Sequence, residues 1–448
     1  PMTFRRRRGR SSPCSEVVWL AESTDALGPP VTAASPFVKS AAAARLLPST
    51  QLRRGLIWAL LMALLSGLWA PPAQALNDAQ QLVVESWRMV NQSYVDPQRF
   101  EAIGWKRLRQ KTLERPIQTS SDAYDAIEAM LAPIGDPYTR LLRPPEWSAL
   151  QASTQGSVSG VGLQLGLRGD DPTVVVIAPL EGSPAAEAGI ASGWELQRVD
   201  GLATRELGLE ATAARLRGPA GSRVLLELRP PGGRPRELEL RRRQVDLQPV
   251  RRRLIEHRNH HYGYLRITQF AEPVPAAVVA SLQALQDEGI DGLVLDLRNN
   301  SGGLVSAGLA VANDLLDGAP IVETRNRDGF ADAQQAGPGS LYAGPLVTLV
   351  NGGTASASEI LAGALQDDGR SPLLGSRTFG KGLIQTLIGL GGDGSGLAVT
   401  VARYVTPSGR DIQNLGIEPD RALPQPEPLN PGGDDDVWLE AALEALGA

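Results

Sequence analysis

Lysine is scarce in this chain: Lys39, Lys106, Lys111 and Lys381 are the only four among 44 basic residues, the other forty being arginine. Where positive charge alone is needed the sequence uses arginine, which keeps its proton at any working pH. A desolvated lysine can lose its proton and act as a neutral base. Lys381 stands between two glycines in Thr378-Phe379-Gly380-Lys381-Gly382, twenty-five residues after Ser356. An amine that takes the proton of a serine hydroxyl makes that hydroxyl a nucleophile. Arginine usage this lopsided also leaves a lone late lysine by chance, so the neighbouring residues must decide.

Two predicted strands end in glycine-bearing turns that feed helices: Asp296-Leu297-Arg298-Asn299-Asn300-Ser301-Gly302-Gly303, and Asn351-Gly352-Gly353-Thr354-Ala355-Ser356-Ala357-Ser358-Glu359. Turns at strand C-termini are where such sheets place ligands, and free N–H groups there can hold an oxyanion. Ser356 opens the second helix, where the dipole favours an anionic oxygen. Ser356 and Glu359 also fit a capping box, a purely structural alternative. Ser358 is a competing nucleophile; a rotation of about 200° separates the two serines, so only one can face a given cleft. The three histidines, His257, His260 and His261, crowd one polar stretch before the first core strand and read as an exposed turn. Gln385 lies four residues beyond Lys381, on the same side if the segment is a strand, where its amide can orient the amine. No carboxylate pair, metal-ligand spacing or phosphate loop competes, and no cofactor is implied.

Composition and charge bound the elements that must position these residues. A length of 448 predicts two to four domains, and a formal charge of −5 argues against a general nucleic-acid binder. The triplets Arg241-Arg242-Arg243 and Arg251-Arg252-Arg253 read as solvated strand ends or an interdomain ion-pair surface. Arg53 and Arg54 precede an apolar run over 56–69 and then Pro71-Pro72-Ala73-Gln74-Ala75, the pattern of a cleaved export signal with a mature start near Leu76. The run is short for a membrane span. Residues upstream of 51 read either as an organelle transit segment or as sequence before the true start. The only cysteine, Cys14, falls in the part removed, so the mature chain has no thiol chemistry.

Val83, Trp87, Val90 and Tyr94 mark one helical face ending before Asp96-Pro97, and Ser120 or Ser121 is expected to cap a second helix through Met130. Between about 148 and 243 the period becomes two: strands at 174–177, 194–199, 224–229 and 236–241, a short helix capped by Ser183, and a helix at 209–216. This order, with Ser159-Gly160-Val161-Gly162-Leu163 ahead of it, resembles a PDZ domain, and Gly182-Ser183-Pro184-Ala185-Ala186-Glu187-Ala188-Gly189-Ile190 carries the resemblance. From about 244 to 428 strands (264–270, 292–297, 346–350) alternate with helices (274–287, 304–316, 356–366), the mark of α/β with a parallel, covered sheet. The tail reads as a linker and one short helix at 437–446.

Thr354-Ala355-Ser356-Ala357-Ser358-Glu359-Ile360, Thr378-Phe379-Gly380-Lys381-Gly382 through Gln385, the 296–303 turn and Gly135-Asp136-Pro137-Tyr138-Thr139 together resemble the carboxyl-terminal processing (tail-specific) proteases, over essentially all of 77–428. The resemblance implies a serine endopeptidase with Ser356 as nucleophile, Lys381 as general base and Gln385 as orienting group. Gly303 or Gly302, with Ala357, would supply oxyanion donors. It implies an α/β multi-domain chain: targeting region 1–75, N-terminal helical domain 76–147, inserted PDZ domain 148–243, crotonase-like α/β protease core 244–428 and tail 429–448. The PDZ loop at Gly160, Val161, Gly162 and Leu163 would take the carboxylate of protein substrates with free, apolar C-terminal tails. The export signal and the 399–416 stretch look most like the photosynthetic branch, which trims a photosystem II reaction-centre precursor, placing the protein in a thylakoid lumen or periplasm with no membrane span in its mature form. The alternatives are a non-catalytic PDZ-type peptide-binding scaffold and a crotonase-type acyl-CoA enzyme.

Overall fold

The computed structural model describes residues 76–447 apart from 169, 170, 181, 192, 426 and 429. The expected targeting region, with Cys14 and the cleavage point, lies outside the described residues. The chain divides into two units after Gln81, and apart from Asp78–Gln81, which open the first helix, everything discussed below lies in the second, Leu82–Ala448. No helix among the described residues is long and apolar enough to cross a membrane.

Among the described residues four α-helices come first: α1 Asp78–Ser93, α2 Pro97–Ile103, α3 Trp105–Leu113 and α4 Ser120–Leu131. On α1, Val83, Val90 and the following Tyr94 are buried as the spacing predicts, and Trp87 stacks on Trp105, 6.2 Å between centroids. The start of α4 corrects the expectation by one residue. Thr119 is the cap: its hydroxyl accepts the Asp122 N–H (3.1 Å) and the Asp122 carboxylate accepts the Thr119 N–H (2.9 Å). A short strand, β1 Arg140–Leu142, and helix α5 Pro144–Thr154 follow, so the change of period comes later than 148.

The period-two region gives β2 Ser157–Gly160, β3 Leu163–Arg168, β4 Asp171–Pro179, α6 Pro184–Glu187, β5 Glu195–Val199, β6 Leu202–Ala203, α7 Thr204–Leu216, β7 Arg223–Arg229, β8 Arg236–Arg241 and β9 Arg243–Asp246. Its antiparallel sheet runs β3-β4-β5-β7-β8 with β3 on the edge, and β2 pairs with β9 so that entry and exit run side by side. Ser183 caps α6 as expected. The helical stretch α7 breaks at Gly208 (φ 75°, ψ 176°), which leaves the expected 209–216 as its second piece. Arg242 departs from the reading of its triplet as solvated. It is buried, and its guanidinium donates to the carbonyls of Arg215 (2.6 Å), Leu216 (3.2 Å) and Arg223 (2.6 Å), closing the C-terminal end of α7.

The remaining chain holds β10 Val250–His257, β11 His260–Ile267, α8 Val274–Asp287, β12 Gly292–Asp296, α9 Val305–Leu315, β13 Pro320–Asn326, β14 Ala331–Gln335, β15 Leu346–Val350, α10 Ala357–Asp367, β16 Leu373–Gly375, β17 Leu383–Gly389, β18 Gly396–Val405, β19 Arg421–Ala422 and α11 Val437–Leu446. The main sheet runs β10-β11-β12-β15-β16-β19, parallel from β11 onward. A second sheet carries β1, β18, β13 and β14, with β17 also on β18. Strand β11 begins at His260, earlier than expected, because β10 pairs with it through a turn at Arg258 and Asn259, both at positive φ. The charged pattern of β10, an edge strand, hid it from the sequence. The three histidines sit at this hairpin.

The tail is more than a linker. Trp438, Leu439, Ala442 and Leu443 of α11 pack with Val294, Val347, Leu349 and Leu374 and cover one face of the parallel sheet. Asp436 caps α11 and also grips Arg298 (2.9 and 2.5 Å), which in turn binds Asp296. Asp296 further accepts from the Tyr264 hydroxyl (2.6 Å) and Arg266 (3.0 Å). Burial pushes the Asp296 carboxyl up, but Arg298 and Arg266 overrule it and hold it well below the usual range. A depressed carboxylate contributes stability that is full above about pH 4 and is lost as pH falls toward the folded value. Asp436→Ala should strip Arg298 of a buried partner and cost about 3 kcal/mol, read as a lower urea midpoint; an unchanged midpoint at pH 7 would show that α11 docks without this pair.

Candidate active site

Strands β12 and β15 are parallel neighbours, so the two glycine-bearing turns at their C-terminal ends lie side by side. Asn299 and Asn351 lace them together: the Asn299 N–H donates to Asn351 Oδ1, and Asn351 Nδ2 donates to Asn299 Oδ1, both at 2.8 Å. Thr354 donates its hydroxyl to the Leu297 carbonyl (2.9 Å). Ser358 is fully buried and donates its hydroxyl to the Asn300 carbonyl (2.9 Å). That proton is committed to joining the turns, which removes Ser358 as a nucleophile.

Ser356 sits at the start of α10 with φ 58° and ψ −120°, a strained conformation for a residue with a Cβ. Its N–H donates to Glu359 Oε2 (2.9 Å), and its carbonyl receives the Glu359 N–H (2.8 Å). The helix start is thus closed without a cap hydrogen bond from the Ser356 hydroxyl. Gly302 lies against it: a Cβ there would stand 2.8 Å from Ser356 Cβ and 3.1 Å from the Ala357 nitrogen. The Gly302 N–H, however, donates to Asn300 Oδ1 (3.0 Å), which corrects its reading as an oxyanion donor. Gly303 is pinned against Phe270, whose carbonyl a Cβ would meet at 2.0 Å. Among the described residues, no hydrogen bond engages the N–H of Gly303 or Ala357.

Lys381 is tied to Ser356 through two bridges. The first is Glu359, fully buried, whose carboxylate receives the N–H groups of Ser356, Gly380 (2.7 Å) and Lys381 (2.9 Å) and the Thr378 hydroxyl (2.5 Å). The second is the Tyr404 hydroxyl, 2.5 Å from the Lys381 carbonyl and 3.1 Å from that of Ser356. Gly380 must be glycine: its φ is 88°, and a Cβ would press on the backbone of 412–416. Among the described residues the Lys381 amine has no hydrogen bond or ion pair. It lies 4.8 Å from the centre of the Tyr138 ring. Burial, helped by Arg140, pushes its pKa down against the pull of Asp136 and Glu359.

The Gln385 amide donates to Thr400 Oγ1 (3.3 Å), and Thr400 donates to Asp136 Oδ2 (2.7 Å). A bulge between Ile384 and Gln385 alters the strand register, and no hydrogen bond joins Gln385 to Lys381. The histidines lie at the other end of the sheet, His260 near Asp291 (3.2 Å) and His257 near Glu440 (3.5 Å), so they take no part here. At the β2–β3 turn, the Val161 carbonyl receives the Ala185 N–H (2.9 Å) and the Gly162 carbonyl the Leu180 N–H (2.8 Å); Gly162 (φ 75°) rests on Ser183. Gly160 ends β2 and Leu163 opens the edge strand β3. The residues that sequence reasoning missed are Tyr404, Tyr138 and the wider role of Glu359. The Ser356–Glu359 spacing pointed to capping, and Tyr138 entered only within the Gly135-Asp136-Pro137-Tyr138-Thr139 stretch that carries the resemblance, with no role of its own.

The model of peptidase family S41 matches residues 261–423, the α/β region. A carboxyl-terminal-processing protease of Picosynechococcus sp. is 47% identical over 378 residues, covering 84% of this chain and 91% of the relative. The chloroplastic C-terminal processing peptidase of Tetradesmus obliquus is 42% identical over 394 residues, covering 85% and 83%. Among solved structures, a photosystem II D1 C-terminal processing protease superposes with a TM-score of 0.61 at 40% identity, covering 83% of this chain and 98% of that one.

All four partners of the Glu359 carboxylate are donors, and Thr378 accepts the Ile417 N–H (2.7 Å) with its own oxygen. Glu359→Gln keeps the shape but turns an amide donor toward them. It should lower kcat/KM by about 100-fold or more through displacement of Ser356 and Lys381. Peptide cleavage assays beside the wild type check this, and near-full activity would show that the bridge is dispensable.

Proposed function

The chain belongs to peptidase family S41 and is a serine-type, carboxyl-terminal-processing protease; from that premise we propose that Ser356 is its nucleophile and Lys381 its general base. The observation that carries the assignment is Lys381: its amine is partly buried, unpaired among the described residues and lowered in pKa, while its main chain is tied to that of Ser356 by a shared carboxylate and a shared hydroxyl. Neutral Lys381 takes the Ser356 proton as Oγ attacks the scissile carbonyl. The oxyanion falls to the N–H groups of Gly303 and Ala357, at the positive end of α10. Protonated Lys381 then gives its proton to the leaving amine, and water releases the acyl group by the reverse route. Gln385 supports the site through Thr400 and Asp136 rather than by holding the amine itself.

In this reading 157–246 is a PDZ unit inserted between a small helical domain and a crotonase-like core. Strand β3 lies on the sheet edge and α7 packs beside it, which supports addition of a substrate C-terminus as a further strand, its carboxylate at Gly160, Val161, Gly162 and Leu163. Substrates are proteins with free, apolar tails. A photosystem II reaction-centre precursor is the natural candidate, because the 40%-identical solved structure is that of a photosystem II D1 C-terminal processing protease. The apolar run before Ala73-Gln74-Ala75 supports export to a thylakoid lumen or periplasm. A non-catalytic scaffold has no use for a desolvated lysine, unpaired among the described residues, whose main chain is tied to that of a strained serine.

Two measurements test the assignment. Mass spectrometry of an unstructured reporter with an apolar tail should show cleavage that Ser356→Ala abolishes and C-terminal amidation weakens; tail binding with no cut would favour the scaffold. Since the base must be neutral, kcat/KM should rise with pH through a lowered lysine pKa and then level off. Lys381→Arg, cationic throughout, should be inactive, and a flat profile with an active Arg variant would overturn the base assignment.

A further inference from the structure

We propose that Tyr138, presented by the helical region, is a positioning residue for Lys381: its ring takes the place of water against the amine and keeps the lysine neutral and aimed. This rests on the Ser356–Lys381 reading. The ring centre lies 4.8 Å from Nζ, within the range at which an aromatic face contacts an ammonium. Tyr138 is only partly buried, and among the described residues its hydroxyl has no hydrogen-bond partner. It is therefore neither a core side chain nor part of a polar network, and the amine is the partner its ring does have.

The turn that carries it is held from both sides. Asp136 Oδ1 accepts the Tyr138 N–H (2.9 Å), and Asp136 Oδ2 receives the hydroxyls of Thr139 and Thr400, both at 2.7 Å. Thr139 Oγ1 in turn accepts the Thr400 N–H (3.1 Å). Immediately after the turn β1 joins β18, with Arg140 opposite Ala398 and Leu141 opposite Leu397. On the helical side, Arg99 of α2 donates to the carbonyls of Ile134 (2.9 Å) and Pro133 (3.0 Å). A half-exposed aromatic on so fixed a turn has a fixed direction.

The charges around Lys381 show why a ring is needed. Asp136 on the same turn and Glu359 of α10 both favour the ammonium, Arg140 of β1 opposes it, and the Tyr404 hydroxyl of β18 engages the carbonyls of Lys381 and Ser356 rather than the amine. With two carboxylates against one guanidinium, a hydrated Lys381 would be a firm cation. Exclusion of water has to outweigh the carboxylates, and Tyr138 is the side chain seen to lie over the amine. The ring face also attracts an ammonium, so it tolerates the proton while it is held between attack and leaving-group departure.

The test reads the lysine directly. The chain has four lysines, so the side-chain carbon signals of protein labelled with 13C-lysine can be assigned by Lys381→Arg and titrated in the Ser356→Ala background. In parallel, kcat/KM is followed against pH with Ser356 intact. Tyr138→Ala should raise the Lys381 midpoint and the acid limb together by about one pH unit, a loss of about ten-fold below both midpoints that vanishes above them. Tyr138→Phe should leave both in place. If Tyr138→Ala lowers activity with an unmoved midpoint, or Tyr138→Phe shifts it as far as Ala, the proposal fails. Thermal unfolding checks each fold, and Tyr138→Gln, which carries water to the amine at similar bulk, replaces an Ala variant that does not fold. An ordinary lysine midpoint in the unsubstituted protein, or cleavage by Lys381→Arg, would instead overturn the base reading beneath the proposal.

Discussion

One buried carboxylate holds the site together. A serine at the start of a helix and a lysine in a loop twenty-five residues on have no covalent reason to meet, and proton transfer needs them placed to within fractions of an ångström. Glu359 supplies the constraint by receiving donors from both segments at once. Because Gly380 and Thr378 bind the same carboxylate, the whole 378–381 loop is fixed as a unit rather than at one point. The Tyr404 hydroxyl repeats the tie from the opposite side, through carbonyls instead of N–H groups. A buried carboxylate left without donors would cost several kcal/mol, so the loop and the helix start each stabilise the other's geometry.

That arrangement also carries the strain at Ser356. A positive φ with extended ψ at a residue bearing a Cβ costs of order 1–3 kcal/mol. The cost is borne because α10 is buried along most of its length and its first turn is closed by Glu359. Parallel pairing of β12 with β15 does the rest, setting the two glycine-bearing turns in register so that Gly302 can approach Ser356 as only a glycine allows. The buried Asp296, Arg298 and Asp436 chain then secures the first turn from behind, through a helix that comes well after the site in sequence.

Much of this was legible beforehand, for identifiable reasons. Strands β12 and β15 are continuous apolar runs, and the periodicity of α8, α9 and α10 is strong, so the α/β region could be read from pattern alone. Of α7 only the piece after Gly208 was read, as a helix at 209–216; the turn before the break was not. Strand β10 was not legible, because an edge strand that faces solvent needs no apolar alternation, and Arg251, Arg252 and Arg253 read only as solvated strand ends or an ion-pair surface. The tail helix was visible as a helix, but nothing local revealed that Trp438 and Asp436 reach the sheet and its ion network. In the site, Ser356 and Lys381 stood out by type and spacing. The four-way use of Glu359 did not, since three of its partners come from a loop that only the tertiary fold brings near; nor did the committed hydroxyl of Ser358 and the committed N–H of Gly302.

The helical region answers a conflict built into a lysine base. The amine has to be dry enough to lose its proton, yet open to a substrate chain and close to the carboxylates that fix its backbone. The α/β core alone offers Glu359 and Tyr404, which hold the lysine's main chain and leave its amine uncovered. The 135–139 turn closes that side with an aromatic face while Asp136, the residue that locks the turn, engages three donors of its own. Asp136 still favours the ammonium, so exclusion of water has to outweigh the very residue that anchors the turn. On the proposed roles of Lys381 and Tyr138, a region that looks peripheral in sequence takes part in the chemistry, and the core and the helical region have to fold onto one another before the amine is dry.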